Sequence, residues 1–214
     1  IYGGTGVGKT HLMLGIGNAI LKIKPNFKIN YCSSEKFMND YVEAIKTNRM
    51  GDLRKKYRSS DILLVDDIQF FSGREGTQQE FFHTFNELAG KNSQMVMTSD
   101  RPPHEIEKLE DRLRSRFAGG LMVEIQPPDF DTRIAILKAK CLEKDIILEE
   151  EALRLLASSL DSNTRELEGK LIQIVQSLKL KGLSATAENI TPFLNHQSKK
   201  ETADPRKVLS KICD

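Results

Sequence analysis

The sequence feature that most constrains this chain is a glycine-rich segment within its first ten residues. Gly3–Thr10 fits the phosphate-binding loop pattern of Gly, four residues and then Gly-Lys-Ser/Thr. The glycines allow the backbone to curl so that several N–H groups face a polyphosphate. Lys9 can reach the β- and γ-phosphates, and the Thr10 hydroxyl can bind Mg²⁺. The pattern predicts a nucleotide site; the alternative is a glycine-rich turn without a ligand.

The residues that follow the loop have the spacing of a helix. Apolar side chains recur at helical intervals, at Leu12, Met13, Ile16, Ala19 and Ile20. A bound phosphate would therefore lie at a helix N-terminus, where unpaired backbone N–H groups favour anions.

Strand and helix patterns alternate over residues 1–128, which predicts an α/β core with a five-stranded parallel sheet. The run Ile62–Val65 is continuously apolar, as expected of a strand buried on both faces. The other predicted strands are the two residues before Gly3, then 28–32, 95–97 and 121–125. Helices are expected over 34–45, 75–90 and 105–117, with Gly51 ending one helical pattern before a short basic helix.

The pattern changes after Pro127-Pro128, which we interpret as a domain boundary. Residues 131–144, 149–160, 163–180 and 186–195 all have helical periodicity, which predicts a small all-α domain over 129–196. Residues 197–205 are polar and typical of a linker, and a further helix is expected from Pro205 to Asp214.

Composition limits the classes of function. The formal net charge of +2 gives no strong overall attraction to nucleic acid, so any such contact needs a local patch. No apolar run approaches the roughly 20 residues that span a membrane. The three cysteines form neither a metal-ligand pattern nor a disulfide framework, and we expect a cytoplasmic protein.

Only Ile1 and Tyr2 precede the loop, although a phosphate loop normally follows a buried strand of about five residues. We therefore expect the first strand to be truncated and the chain to be part of a longer protein.

Several motifs in this order and spacing resemble the AAA+ ATPases and, among them, the family of bacterial replication initiators. They are Gly3–Leu12, Leu64–Phe70, Phe81–Asn86, Thr98–Arg101, Glu110–Phe117 and Arg165–Gly169. The resemblance implies an AAA+ core over 1–128, a helical lid over 129–196, and a linker over 197–214 leading to a duplex-DNA-binding domain outside this chain. It also implies adenine-pocket residues upstream of Ile1.

The resemblance implies ATP or ADP and Mg²⁺ as cofactors. The nucleotide contacts that it implies come from Gly4, Thr5, Gly6, Val7, Gly8, Lys9, Thr10, His11 and Arg165. Thr10 and Asp66 are the implied metal ligands; Asp66 follows an apolar strand, which places its carboxylate at the strand end beside the loop. A carboxylate that only caps a turn is the alternative for Asp66.

Asp67 stands where most AAA+ proteins carry the Glu that orients the attacking water. Because Asp is one methylene shorter, we expect slow ATP hydrolysis that acts as a timer. Asp100 is similar to the polar residue that senses the γ-phosphate from the neighbouring strand, with Thr98 and Ser99 as weaker candidates. A turn-forming Asp before Pro102 is the alternative.

Arg116 resembles the arginine finger that enters the nucleotide site of a neighbouring subunit, and Arg112 resembles a supporting inter-subunit contact. The alternative is an arginine-rich helix face that is solvated or ion-paired. Arg165 resembles the lid arginine that contacts the bound phosphates. The residues implied in catalysis are Lys9, Asp66, Asp67, Asp100, Arg116 and Arg165.

Residues 34–58 form a helical insertion, which in the initiator family favours helical filaments and lines a channel for single-stranded DNA. Val42 matches a DNA-contacting position, as do Arg74 and Thr77 in the loop after Asp67. Core packing is the alternative for Val42, and helical periodicity alone favours it. Many relatives carry a basic residue where this chain has Gly76, so Arg54, Lys55 or Lys56 are alternative contacts.

These features predict an ATP-dependent replication initiator that assembles into a filament, binds and melts origin DNA, and is inactivated by hydrolysis to ADP. The implied partners are copies of itself, single-stranded origin DNA, duplex DNA through the further domain, and a replicative helicase or its loader. Alternatives are a helicase loader of the same clade, a small-molecule P-loop kinase, and a binding module that no longer hydrolyses ATP.

Overall fold

The computed structural model describes residues 1–159 and 163–195. The chain divides into two compact units, the first over Ile1–Gln126 and the second beginning at Pro127. The predicted linker over 197–205, the predicted helix from Pro205 to Asp214 and Cys213 lie outside the described residues. The two units are described separately below.

The sheet of the first unit is parallel and has the order β1-β2-β3. Its strands are β1 (Ile29–Ser33), β2 (Ile62–Asp66) and β3 (Gln94–Met97). All five residues of the central strand β2 are buried, as its apolar run predicts. The register pairs Val65 with Met97, so the residues that follow β3 lie beside the carboxyl end of β2.

The first and the last of the five predicted strands are reduced to isolated bridges, so the sheet has three strands instead of the five predicted. Tyr2 bridges Ser99 on one side and Glu124 on the other, both in parallel orientation. The Tyr2 N–H donates to the Val123 carbonyl at 2.8 Å, and the Tyr2 carbonyl accepts from the Ile125 N–H at 2.7 Å. Because two residues precede Gly3 in this chain, they form isolated bridges instead of a ladder, and among the described residues 121–125 pair with Tyr2 alone.

Five helices surround this sheet. They are α1 (Lys9–Ile23), α2 (Ser34–Lys46), α3 (Met50–Arg58), α4 (Glu75–Gly90) and α5 (Asp111–Ala118). Gly51 lies inside α3, so the prediction that it breaks the helical pattern is wrong. The break comes at Asn48, which has a left-handed φ of 54°. The predicted helix over 105–117 begins only at Asp111, after a 3₁₀ turn over Pro103–Glu105.

The insertion helices α2 and α3 are anchored by an aromatic cluster. The Phe37 ring of α2 lies 4.8 Å from the Tyr57 ring of α3 and 5.2 Å from the Phe81 ring of α4, measured between centroids. Phe71 packs on Phe81 at 4.7 Å. These four side chains are fully or almost fully buried, so the insertion shares the core of the first unit.

In the described part of the second unit, 127–159 and 163–195, there are four helices: α6 (Phe130–Glu143), α7 (Glu150–Ser159), α8 (Thr164–Leu180) and α9 (Ala187–Asn195). They begin and end within two residues of the predicted segments, as far as the described residues extend. Asp129 caps α6 by accepting from the Thr132 N–H at 2.8 Å, and Asn163 caps α8 by accepting from the Glu166 N–H at 3.0 Å. Leucines from three helices, Leu137, Leu156 and Leu171, are completely buried between them.

Over residues 1–159 and 163–195, no helix combines the length and the apolar character that crossing a bilayer requires.

Candidate nucleotide-binding site

The glycine-rich loop leads directly into the first turn of α1. Gly8 precedes the helix with a left-handed φ of 99°, a conformation that residues with a Cβ rarely adopt. The first intrahelical bond runs from the Leu12 N–H to the Gly8 carbonyl. The amides of Lys9, Thr10 and His11 therefore belong to the group that a helix start leaves without an intrahelical acceptor, which is the arrangement that binds phosphate.

Position 3 requires glycine because of its backbone conformation and because the backbone of Ile125 lies so close to it. Its φ is 151°, and a Cβ built on it would lie 2.3 Å from the Ile125 carbonyl oxygen. The backbone over Val123–Ile125 thus holds the start of the loop through its bonds to Tyr2, at a distance that leaves no space for a side chain.

Lys9 is nearly buried, with 8% of its surface exposed. Its Nζ donates to the Gly3 carbonyl at 3.0 Å and to the Gly4 carbonyl at 2.8 Å. The loop backbone, through the carbonyls of Gly3 and Gly4, therefore holds the Lys9 ammonium group against the loop. This position allows it to neutralise a polyphosphate that the loop amides bind.

Thr10 and Asp66, which are the predicted metal ligands, lie in direct contact. The Thr10 hydroxyl donates to both Asp66 carboxylate oxygens, at 2.8 and 3.0 Å. Asp66 ends β2 and is 94% buried, and the Tyr31 hydroxyl lies 3.4 Å from its Oδ2. Hydroxyl and carboxylate oxygens are the donors that Mg²⁺ prefers, so these residues fit the predicted ion. Burial and the charge of Asp66 raise the pKa of Tyr31, which keeps its hydroxyl protonated.

Asp67 has a left-handed φ of 58° and begins a 3₁₀ turn over Ile68–Phe71. Its N–H donates to the Thr98 hydroxyl at 2.9 Å. Its carboxylate accepts from the Gln69 side-chain Nε2 at 3.1 Å, and the side-chain Oε1 of Gln69 accepts from the Asp100 N–H at 3.3 Å. Gln69 therefore connects the proposed water-orienting carboxylate to the backbone of Asp100.

Asp100 forms a two-pronged ion pair with Arg101, at 2.9 and 2.8 Å. The Arg101 hydrogen bonds lower the pKa of Asp100, and the charge of Lys9 adds to this effect although partial burial opposes it. In this structure the Asp100 carboxylate is engaged by the next residue along the chain.

The two predicted inter-subunit arginines have different surroundings. Arg112 pairs with Glu110 at 2.5 Å, and its guanidinium carbon lies 4.7 Å from the centre of the Phe82 ring. Arg116 is exposed on α5, whereas Leu113 and Phe117 of the same helix are buried. Within the part of the chain that the structure describes, no hydrogen bond or ion pair engages Arg116. The ion-paired alternative thus describes Arg112, whereas Arg116 is free to contact another molecule.

Arg165 is exposed in the first turn of α8, directly after the Asn163 cap and Thr164. It belongs to the second unit, whereas all the other predicted catalytic residues belong to the first.

The predicted DNA-contacting residues are not equally accessible. Val42 is 42% exposed on α2, which contradicts the core-packing alternative and leaves the side chain accessible; Phe37 and Ala44 are the buried apolar residues of this helix. Arg74 is exposed just before α4. Thr77 lies inside α4 and not in a loop, and only 5% of its surface is exposed. Its side chain is therefore buried, and its backbone N–H belongs to the first turn of the helix.

Gly76 lies beneath the ring of Tyr41. A Cβ on Gly76 would lie 3.0 Å from the Tyr41 hydroxyl, so a larger residue there would displace that ring. Of the alternative basic contacts, Arg54 is paired with Glu80 at 3.3 Å and Lys56 with Asp40 at 2.5 Å.

The sequence-based prediction gives little or no role to three residues that contact Asp66 or Asp67. They are Tyr31, Gln69 and Thr98. A motif describes residues along one strand, whereas these contacts depend on which residues of neighbouring strands lie side by side. The parallel register of β2 and β3 is the signal that identifies Thr98.

Comparison with known proteins identifies the family. The model of the bacterial DnaA ATPase domain matches residues 1–124. The chromosomal replication initiator protein DnaA of Limosilactobacillus reuteri (strain DSM 20016) is 52% identical over 200 residues, which cover 94% of this chain. The chain spans only 44% of that relative's length.

Solved structures show the same relationship. Domain III of the Thermotoga maritima replication initiation protein DnaA superposes with a TM-score of 0.83 at 41% identity, over 89% of this chain and 80% of that one. A replication initiator DnaA bound to AMPPCP and single-stranded DNA superposes with a TM-score of 0.72 at 40% identity, over 85% of this chain and 57% of that one. The fold is therefore that of an AAA+ P-loop protein.

Proposed function

Because this chain belongs to the DnaA family of bacterial replication initiators, we propose that it binds ATP with Mg²⁺ and uses the bound nucleotide to control assembly on origin DNA. The observation that carries the proposal is the contact between the Thr10 hydroxyl and the Asp66 carboxylate beside the Lys9 ammonium group. It joins a phosphate-binding loop to a metal-binding carboxylate in one site.

Each residue of this site has a distinct task. The loop amides from Gly4 to His11 and Lys9 bind the phosphates, while Thr10 and Asp66 hold Mg²⁺, which neutralises charge on the phosphate oxygens. Asp67 orients the attacking water, and Asp100 senses the γ-phosphate. Hydrolysis is slow because Asp67 is short and its carboxylate is already bonded to Gln69.

Assembly depends on arginines that reach beyond their own site. Arg116 is exposed and without a partner among the described residues, so it can enter the nucleotide site of the next copy and stabilise charge on the γ-phosphate. Arg112 supports the same inter-subunit contact, and Arg165 contacts the phosphates from the lid. ATP therefore favours a helical filament, and hydrolysis to ADP ends the active state.

Single-stranded origin DNA is the proposed ligand of the filament. Val42 offers an exposed apolar contact, Arg74 offers a charge, and Thr77 contributes through its first-turn N–H rather than its buried side chain. A related DnaA binds single-stranded DNA together with AMPPCP, which supports this part of the proposal.

The proposed organisation follows the family. Residues 1–128 form an AAA+ core whose sheet is extended from three strands to five at Tyr2 and at 121–125, and residues 129–196 form the lid. Residues 197–214 lead to a domain that binds duplex DNA, and the whole protein acts in the cytoplasm with a replicative helicase or its loader. The match to DnaA proteins favours an initiator over a helicase loader.

The experiment is fluorescence anisotropy of a labelled single strand at rising protein concentration, with ATP or with ADP. We expect ATP to raise the affinity at least about tenfold, and the affinity to fall as salt rises from about 50 to 200 mM. Val42→Ser weakens binding, whereas Leu180→Ser, at an 89% exposed position in the second unit, leaves it unchanged. Equal affinity with ATP and ADP would contradict the proposal.

A further inference from the structure

We propose that the Thr98 hydroxyl is the positioning group that holds both acidic residues of the nucleotide site, Asp66 and Asp67, in their working arrangement. This inference rests on the proposed ATP site and adds a residue to it. Thr98 itself touches neither nucleotide nor metal in this account and acts through the two carboxylates.

Thr98 is fastened to the end of β2 by its backbone. Its N–H donates to the Val65 carbonyl at 3.0 Å, and its carbonyl accepts from the Ile68 N–H at 2.9 Å. Its side chain is completely buried, with an exposed fraction of 0%. The hydroxyl is therefore fixed directly beside the Asp66-Asp67 pair that lies between those two bonds.

The roles of the hydroxyl as donor and acceptor are determined by its two partners. The Asp67 N–H can only donate, and it points to the Thr98 oxygen at 2.9 Å. The single hydroxyl proton is consequently directed to the Asp66 Oδ1, with which Thr98 forms its other short contact. One side chain thus orients a carboxylate on one neighbour and an amide on the next.

These two bonds control different parts of the site. The bond to Asp66 fixes the Oδ1 atom and thereby orients the carboxylate, whose two oxygens lie 3.0 Å (Oδ1) and 2.8 Å (Oδ2) from the Thr10 hydroxyl on the metal side of the site. The bond from the Asp67 N–H satisfies that amide while Asp67 holds a left-handed φ of 58°, a conformation that costs an ordinary residue free energy. Loss of the hydroxyl would release both residues together and leave the half-buried Asp67 N–H without this acceptor.

Thr98→Val tests this because valine keeps the shape and removes the hydroxyl. We measure ATP affinity with Mg²⁺ and with EDTA, and the turnover number, for the wild type, Thr98→Val, Thr98→Ala and Thr98→Ser. We expect the valine and alanine variants to lose about tenfold in the affinity gain that Mg²⁺ provides and about 10- to 100-fold in turnover, with affinity in EDTA unchanged. The serine variant should stay within about threefold of the wild type in both.

Thr84→Val is the matched control, because Thr84 is equally buried, with 1% exposed, but lies on α4 and bonds to Arg58 at 3.3 Å. It should lower the melting temperature without changing the Mg²⁺ dependence. The inference is overturned if Thr98→Val or Thr98→Ala keeps wild-type Mg²⁺ dependence and turnover, or if Thr98→Ser fails as they do. If the ATP affinity of the wild type were the same with Mg²⁺ and with EDTA, the proposed function would be overturned, and this inference with it.

Discussion

At the scale of single residues, two glycines have different structural roles: Gly3 lies in the phosphate loop and Gly15 lies in the helix that follows it. Gly3 has a left-handed φ and lies against the Ile125 carbonyl, so both conformation and space exclude a Cβ. Gly15, in the middle of α1, has no heavy atom within 4 Å of the position where a Cβ would lie and is exposed. The local structure therefore requires glycine at position 3, whereas glycine at position 15 only lowers the stability of the helix through its poor helix propensity.

We predict opposite effects for the two substitutions to alanine. Gly3→Ala should lower the free energy of unfolding by about 2–4 kcal/mol, because it introduces both strain and overlap. Gly15→Ala should raise it by about 0.5–1 kcal/mol through helix propensity. Urea denaturation of the two variants checks this, and a Gly3→Ala variant as stable as the wild type would show that the loop can move away from Ile125.

At the scale of elements, α2 and α3 are joined by a hydrogen-bonded carboxylate. Asp40 of α2 accepts from Tyr57 at 2.6 Å and from Lys56 at 2.5 Å, both on α3, and pairs with Lys36 at 2.7 Å. Partial burial alone would raise the pKa of Asp40, but these hydrogen bonds lower it to about 2. The insertion is therefore held together by an interaction that requires the carboxylate to be charged.

This gives a prediction with a defined sign. Because the pKa of Asp40 is lower in the folded state, its stabilising effect is complete above about pH 4 and is lost as the pH falls toward about 2. Asp40→Asn should lower the free energy of unfolding by about 2 kcal/mol at pH 7, and the difference from the wild type should shrink at pH 3. Glu43→Gln, at an exposed position on the same helix, should show no such trend. A difference that is constant between pH 7 and pH 3 would contradict this account.

Elements also show where prediction from sequence succeeds and where it stops. The apolar run of β2 and the periods of α4 and α6–α9 predict those elements closely, because burial on two faces or one face leaves a local pattern. Periodicity identifies the apolar arc of α2 but not how much of that arc a neighbour covers, so Val42 is exposed although helical periodicity alone favours core packing for it. Thr77 is a buried helix residue because α4 begins two residues before it. No side-chain cap marks this helix start, so the sequence pattern does not separate Thr77 from the preceding loop.

At the scale of the whole molecule, the phosphate loop and both carboxylates are complete within the first unit. Two arginines that the family relates to the nucleotide, Arg116 and Arg165, are exposed, and Arg165 belongs to the second unit. In the proposed function, the residues that bind the phosphates lie in one copy, whereas the γ-phosphate is read by Arg116 of a second copy. This separation is the physical basis of the proposed switch.

The most direct test of that switch is sedimentation velocity of the wild type, Arg116→Ala and Arg154→Ala, each with ATP or ADP, alongside a filter-binding assay for ATP. Arg154 is the control because it is an exposed arginine on the second unit, paired with Glu150 at 3.7 Å. We expect the wild type and Arg154→Ala to sediment as assemblies with ATP and as smaller species with ADP, because only ATP offers a γ-phosphate to the neighbouring arginine. Arg116→Ala should bind ATP normally and remain small with either nucleotide. Assembly of Arg116→Ala at wild-type strength would contradict the account, because the γ-phosphate would then be read without this guanidinium.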